Sequence, residues 1–256
     1  MKTYFSFKLG LAYGLILMLM VTSCETQEIG EPSVVAEDQG IVTDVDESDP
    51  TLRINNSVLF PTSAKLFGKS NEDWAFDLVR TSFSMDCEEF STSQLLNLSD
   101  KVVSPFGDLE TITREYTITK DQFVFLSPIF IFNFYGCPEE FGFEPEEGQS
   151  IEDFLRENSN YIFNLFETFQ VFYNGVEIEE LSEYKISSDL FYFTANPTLT
   201  ECVTPCLTGK QQPSLFEGYF MMFKKMKFGK NTVIIKGSAP ELDLSFELTF
   251  IFNVTN

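Results

Sequence analysis

Apolar and polar positions alternate most cleanly at the end of the chain. Leu242, Leu244, Phe246, Leu248, Phe250, Phe252 and Val254 share one parity; Asp243, Ser245, Glu247, Thr249, Asn253 and Thr255 share the other, broken only by Ile251. Successive side chains of a strand point to opposite faces, so this pattern predicts one buried face and one wet face. Upstream, residues 218–223 and 232–236 read as two more strands, separated by a basic connection from Lys224 to Lys230. With three consecutive strands at the C-terminal end, the fold is expected to close only once the last of them is present.

Earlier segments follow the same logic. Residues 52–60 are a strand candidate. Ser70-Asn71-Glu72-Asp73 forms a capping-box pattern that opens a helix to about Phe83, with Trp74, Leu78 and Val79 as its apolar stripe. On such a stripe Trp74 is expected in the core and not as a ligand platform. Residues 86–89 read as a turn, and residues 111–119 alternate as a strand. Residues 123–135 are nearly all apolar, and Pro128 among them predicts an edge position, a bulge or a bend. After an acidic loop, Ser150 caps a helix with Ile151, Phe154, Leu155, Asn158, Ile162, Leu165 and Phe166 at helical spacing. Phe169, Val171 and Tyr173 mark a strand, and Asn174-Gly175 predicts a tight hairpin into residues 176–181. Residues 190–194 form another strand, and 196–214, with three prolines, a long loop. Seven to nine strands and one or two helices, without regular helical crossovers, predict a mainly β, antiparallel, sandwich-like domain.

The N-terminus changes the picture from fold to address. Lys2 and Lys8 precede an apolar run over residues 9–21, too short to span a bilayer but suited to a signal peptide. It ends in Val21-Thr22-Ser23-Cys24, which resembles the lipobox of bacterial lipoproteins, whose cysteine is acylated after cleavage. The chain thus divides into a signal (1–23), an acidic tether expected to be disordered (24–50) and one domain (51–256). The tether carries nine carboxylates between residues 25 and 50 and no basic or aromatic side chain. Among them Asp44, Asp46 and Asp49 only loosely echo a calcium loop, without its glycine or distal glutamate. The expected location is the bacterial cell envelope, anchored to the outer membrane through lipid at Cys24 on its periplasmic or surface face.

Charge and composition then narrow the chemistry. The net charge of −22 becomes −24 once Lys2 and Lys8 leave with the signal. So acidic a chain repels phosphate backbones and anionic headgroups, which argues against a nucleic-acid partner. Histidine is absent, which removes imidazole catalysis and His metal ligands. No phosphate-cradling loop or dinucleotide fingerprint occurs, and no cofactor is expected. Phe occurs 29 times against a single Trp, a composition that reports core more than sugar-stacking platforms. Cys87, Cys137, Cys202 and Cys206 make an even count, as expected of two disulfides in an exported protein. Of three connectivities, Cys87–Cys137 with Cys202–Cys206 is favoured over the others and over a four-cysteine zinc site.

Four blocks of the second half resemble an uncharacterised family of secreted bacterial β-rich proteins. They are residues 113–128 (TREYTITKDQFVFLSP), Asn174-Gly175-Val176 with Tyr184-Lys185-Ile186-Ser187, residues 190–194, and Glu217-Gly218-Tyr219-Phe220 through Gly229-Lys230-Asn231-Thr232-Val233. The resemblance covers about residues 113–255 and implies export and a β fold, with no activity attached. Where that family shows aspartate and tryptophan, this chain has Glu217 and Phe220. Its histidines fall on Asn231 and Ile234, read as strand-surface positions, and the Gly-Tyr block reads as a packing signature.

The leading functional expectation is a non-enzymatic binding or assembly module for a protein or glycan. Its contact surfaces would be the loops at 139–149 and 196–214, and the first of these should be removable without loss of the fold. The alternative is a carboxylate-based glycoside hydrolase or carbohydrate-binding domain. In that reading the favoured Cys87–Cys137 bridge draws Asp86, Glu88 and Glu89 towards Glu139 and Glu140. Calcium binding by residues 139–153 is a third option, with oxygen ligands but no diagnostic spacing.

Overall fold

The structure is a computed structural model that describes residues 58–106 and 112–256. The signal, Cys24, the tether and residues 52–57 of the first strand candidate lie outside the described residues. Of that candidate residues 58–60 are described, with Leu59 in an isolated bridge to Phe223 flanked by hydrogen bonds at Val58 and Phe60.

Two mixed sheets make the domain. Sheet one runs in the order β1 (Leu95–Ser99), β2 (Val102–Pro105), β4 (Phe123–Phe134), β9 (Gln211–Met222), β7 (Lys185–Ser187). Beyond Ser188–Leu190, β8 (Phe191–Thr194) pairs with the first residues of β9. Sheet two runs β3 (Ile112–Thr119), β11 (Leu244–Thr255), β10 (Gly229–Ala239), β5 (Thr168–Tyr173), β6 (Val176–Glu177). The mainly β, sandwich-like reading holds, but two pairings are parallel, β2 with β4 and β3 with β11. The last strand therefore sits inside sheet two, antiparallel to β10 on one side and parallel to β3 on the other.

In β11, Phe246, Leu248, Phe250, Phe252 and Val254 are buried while Ser245 and Glu247 are exposed, as the alternation requires. This inner face meets Val233 and Ile235 of β10, Val171 and Tyr173 of β5, and Val124, Leu126 and Met221 of sheet one. The opposite face of sheet one is covered as well. There α1 (Asn71–Ser84) lays Trp74, Leu78, Val79 and Phe83 over Phe125, Phe216, Phe220 and Met222. Trp74 is 2% exposed and belongs to this core. A third helix, α3 (Ile151–Asn164), packs across β4 and β9.

Local chemistry explains the boundaries. The Ser70 hydroxyl accepts from the Asp73 amide at 3.1 Å, and the Asp73 carboxylate accepts from the Ser70 amide at 2.8 Å, completing the capping box of α1. Asn174 and Gly175 have φ of 49° and 82°, the left-handed pair that a two-residue hairpin needs. Pro128 lies in a bulge between Leu126 and Ile129, so β4 stays central to its sheet despite the proline.

Four segments differ from expectation. Residues 86–89 are not a turn but the start of α2 (Cys87–Thr92), capped by Asp86, which accepts from the Glu89 amide. Strands β1 and β2 have no counterpart in the sequence reading. β9 begins at Gln211, seven residues before the expected strand. The supposed loop between β8 and β9 holds α4 (Leu199–Cys202), with Leu199 and Leu207 fully buried.

Candidate functional site

The disulfides join Cys87 to Cys202 and Cys137 to Cys206, which corrects the pairing favoured from the sequence. Topology is the reason. Cys137 follows the end of β4, and β4 is antiparallel to β9, so its neighbour is the chain that leads into β9. Cys87 opens α2, whose amide donates to the Thr198 hydroxyl at 3.1 Å beside α4. Both bridges thus staple the 196–210 segment to the body. Gln212 tightens the staple: its side-chain amide donates to the carbonyls of Tyr135 and Cys206 at 3.0 and 2.9 Å and accepts from the Thr208 amide at 3.0 Å. Gly136, with φ of 125°, leaves room for that amide, since a Cβ there would stand 2.9 Å from Gln212 Nε2. The segment read as a long loop is therefore fixed to the body by two bridges and by Gln212.

Carboxylates decorate this stapled end. Asp86 accepts from the Glu89 amide at 2.8 Å as a helix cap, and Glu88, Glu89, Glu139 and Glu140 are all exposed. The Cys87–Cys137 bridge that was to unite the two clusters does not exist; Cys87 and Cys137 are instead bridged to Cys202 and Cys206. The 139–149 segment makes contacts of its own with α3. Phe143 packs on Phe154 of α3 with ring centroids 4.6 Å apart, and Gln149 donates to Glu157 at 2.8 Å. Among the described residues no group of three or more Cys, Asp or Glu is placed to hold a metal ion.

A polar cluster that sequence reasoning missed lies under α3. Glu217 of β9 is 4% exposed. Its Oε1 is 2.6 Å from the Lys185 ammonium, which also stands 4.8 Å from the Phe163 ring, while Oε2 has no hydrogen-bond partner among the described residues. Beside it Arg156 of α3 donates to the Ser187 hydroxyl at 2.6 Å, to Glu152 at 2.8 Å and to the Ser188 carbonyl at 3.2 Å. Asn133 of β4 donates to Ser159 at 2.7 Å and to the Leu155 carbonyl at 3.2 Å, and accepts from Asn158 at 3.1 Å. The cluster therefore clamps α3 to the β7–β9 edge of sheet one. Its signal in the sequence was the acidic residue inside an apolar strand.

Sheet two has its own buried polar pair. Asn231 is not a strand-surface residue: fully buried, it accepts from the Tyr173 hydroxyl at 2.6 Å and donates to the carbonyls of Lys227 and Gly229 at 2.7 and 3.1 Å. Ile234 lies on the outer face, as expected, and Phe220 is fully buried, in keeping with a packing signature. Burial raises the hydroxyl pKa of Tyr116, Tyr173 and Tyr184, so these three serve as neutral core groups at physiological pH. No protein family, curated protein or solved structure matches this chain.

Proposed function

We propose that the protein is an exported, lipid-anchored domain of the bacterial cell envelope that works by binding or assembly and not by turnover. The observation that carries the export half is the pair of disulfides, which span 115 and 69 residues of sequence. Such structural bridges persist in oxidising compartments, in agreement with a signal ending at Ser23. The binding half rests on the stapled end, where Glu88, Glu89, Glu139, Glu140, Glu144, Glu146 and Glu147 are presented to solvent on a covalently fixed frame. Recognition commonly uses such segments on a rigid scaffold. Intact-mass analysis of detergent-extracted protein is expected to show a chain beginning at an acylated Cys24; an unmodified cysteine overturns the anchor. Release of reducing sugar from envelope glycans by the purified protein overturns the non-catalytic reading.

A further inference from the structure

We infer that the end of the sandwich opposite the disulfides is a docking face for an anionic lipid surface. The strands gather six lysines there from three separate turns. Lys101 lies in the β1–β2 turn, Lys120 in the β3–β4 turn, and Lys224, Lys225, Lys227 and Lys230 lie between β9 and the first residues of β10. Their proximity follows from the backbone: the Phe123 amide donates to the Lys101 carbonyl at 2.7 Å, the Lys120 amide to the Thr255 carbonyl at 2.8 Å, and Gly229 pairs with Val254. All six are exposed. Asp100 and Asp121 are the acidic side chains in these same turns, and Asp121 is held by Lys225 at 3.2 Å. Glu180 and Glu183 stand on the flank, where the Leu181–Tyr184 turn packs against β9.

Two aromatic side chains give this face its second character. Phe228 is 71% exposed in the middle of the lysines, and Phe67 is 52% exposed at the tip of the Leu66–Lys69 turn. Phe67 and Phe123 stand edge to face at 5.6 Å, with the Lys101 ammonium 5.6 Å from the Phe67 ring and that of Lys225 5.7 Å from the Phe123 ring. Exposed phenylalanines among lysines are the arrangement by which surface-bound proteins enter the headgroup layer: the charges meet phosphates and the rings reach the acyl boundary. The acidic, stapled end lies at the other end of β4 and β9, roughly 35 Å away at the rise of a strand. The net charge of −22 includes nine carboxylates between residues 25 and 50 and does not describe this face, so the general repulsion of headgroups inferred from it does not hold locally.

The way the chain enters the domain favours a membrane as the occupant. The Lys224 amide donates to the Val58 carbonyl at 2.9 Å, so the segment leading back to Cys24 joins the domain at this same end. The lipid identity leans on the proposed anchor, but the affinity of the face does not require it. The test therefore uses the chain from residue 24 onward with Cys24→Ser, which carries no acyl group. Its sedimentation with vesicles of equal parts phosphatidylglycerol and phosphatidylcholine is expected to exceed that with phosphatidylcholine alone by at least about tenfold, and to fall as salt is raised. Joint Lys225→Glu, Lys227→Glu and Lys230→Glu should lower anionic-vesicle binding at least roughly thirtyfold, and Phe228→Ala about fivefold. Arg80→Glu with Lys210→Glu and Lys236→Glu makes the same change in net charge elsewhere and should cost less than about threefold. Equal binding to both vesicle types, or equal losses in the two triple variants, overturns the proposal. So does a lysine-dependent dimer without lipid in ultracentrifugation, which would assign the face to the acidic end of a second copy. Failure here leaves acylation of Cys24 untouched, because intact mass reads that separately.

Discussion

Sheet one and sheet two share a core, yet they solve different burial problems. Sheet two is wet on its outer face, where Lys236 pairs with Glu247 at 2.9 Å and Ile234 and Ile251 are only partly covered. Sheet one is enclosed on both faces, by α1 on one and by sheet two together with α3 on the other. A one-sided strand must alternate, whereas a two-sided strand reads as an apolar run. The enclosed sheet also bears most of the aromatic packing: Phe220 alone has ring neighbours in Phe125, Phe130 and Phe216.

Substitutions on the two sheets should expose this contrast in chemical denaturation. Phe220→Ala is expected to cost about 3–5 kcal/mol, because the cavity is walled on all sides. Phe172→Ala, on the outer face of sheet two, should cost under about 1 kcal/mol. Similar losses at the two sites would mean that the outer face of sheet two is covered in the working protein.

Two buried glycines sharpen the point. A Cβ at Gly218 would stand 2.4 and 2.7 Å from Cβ and Cα of Phe130, atoms tied to the backbone of the neighbouring strand. At Gly237 it would meet the far tip of the Phe246 ring at 2.5 Å, which can tilt away. Gly218→Ala is therefore expected to lower stability by about 3 kcal/mol and Gly237→Ala by about 1, read from urea midpoints.

The edge of sheet one offers a smaller test. Lys185→Met leaves the Glu217 carboxylate without its cation and should cost about 2 kcal/mol, moderated by the solvent that reaches Lys185. Adding Glu217→Leu should recover most of that loss, since both partners are then apolar. A double variant no more stable than the single one would show that Glu217 is held by groups other than Lys185.

The smallest effect belongs to the cap of the covering helix. Hydrogen bonds from the Ser70 amide and hydroxyl hold Asp73 below the usual carboxylate range. Its contribution is present above the unfolded value near pH 4 and lost as pH falls through the lower folded value. Ser70→Ala should cost about 1 kcal/mol at neutral pH and flatten the acid limb of the stability curve. An unchanged acid limb would assign it to other carboxylates.

Legibility in the sequence follows the same division. β11, the β5–β6 hairpin and the helices α1 and α3 were readable, because alternation, Asn174-Gly175 and the Ser70 and Ser150 caps are local signals. β1 and β2 were not, since Leu95–Ser99 and Val102–Pro105 are short and carry no alternation. The first half of β9 was hidden by Pro213, which lies in the strand opposite Tyr192 of β8. At the candidate site the residue types were visible but their environments were not. Glu217 and Lys185 meet only because β7 pairs with β9, and Asn231 is buried because it shares the inward parity of Val233 and Ile235, where the Tyr173 hydroxyl meets it.

The interleaved bridges carry a consequence for how the protein is made. A chain that emerges from its N-terminus offers Cys137 to Cys87 long before Cys202 appears, and Cys202 then finds Cys206 four residues away. Both first encounters are non-native. Each must be avoided or undone by thiolate attack through a mixed disulfide before β9 can settle against β4. Protein oxidised faster than it is reshuffled should therefore accumulate with four blocked thiols, the correct mass and the wrong loops.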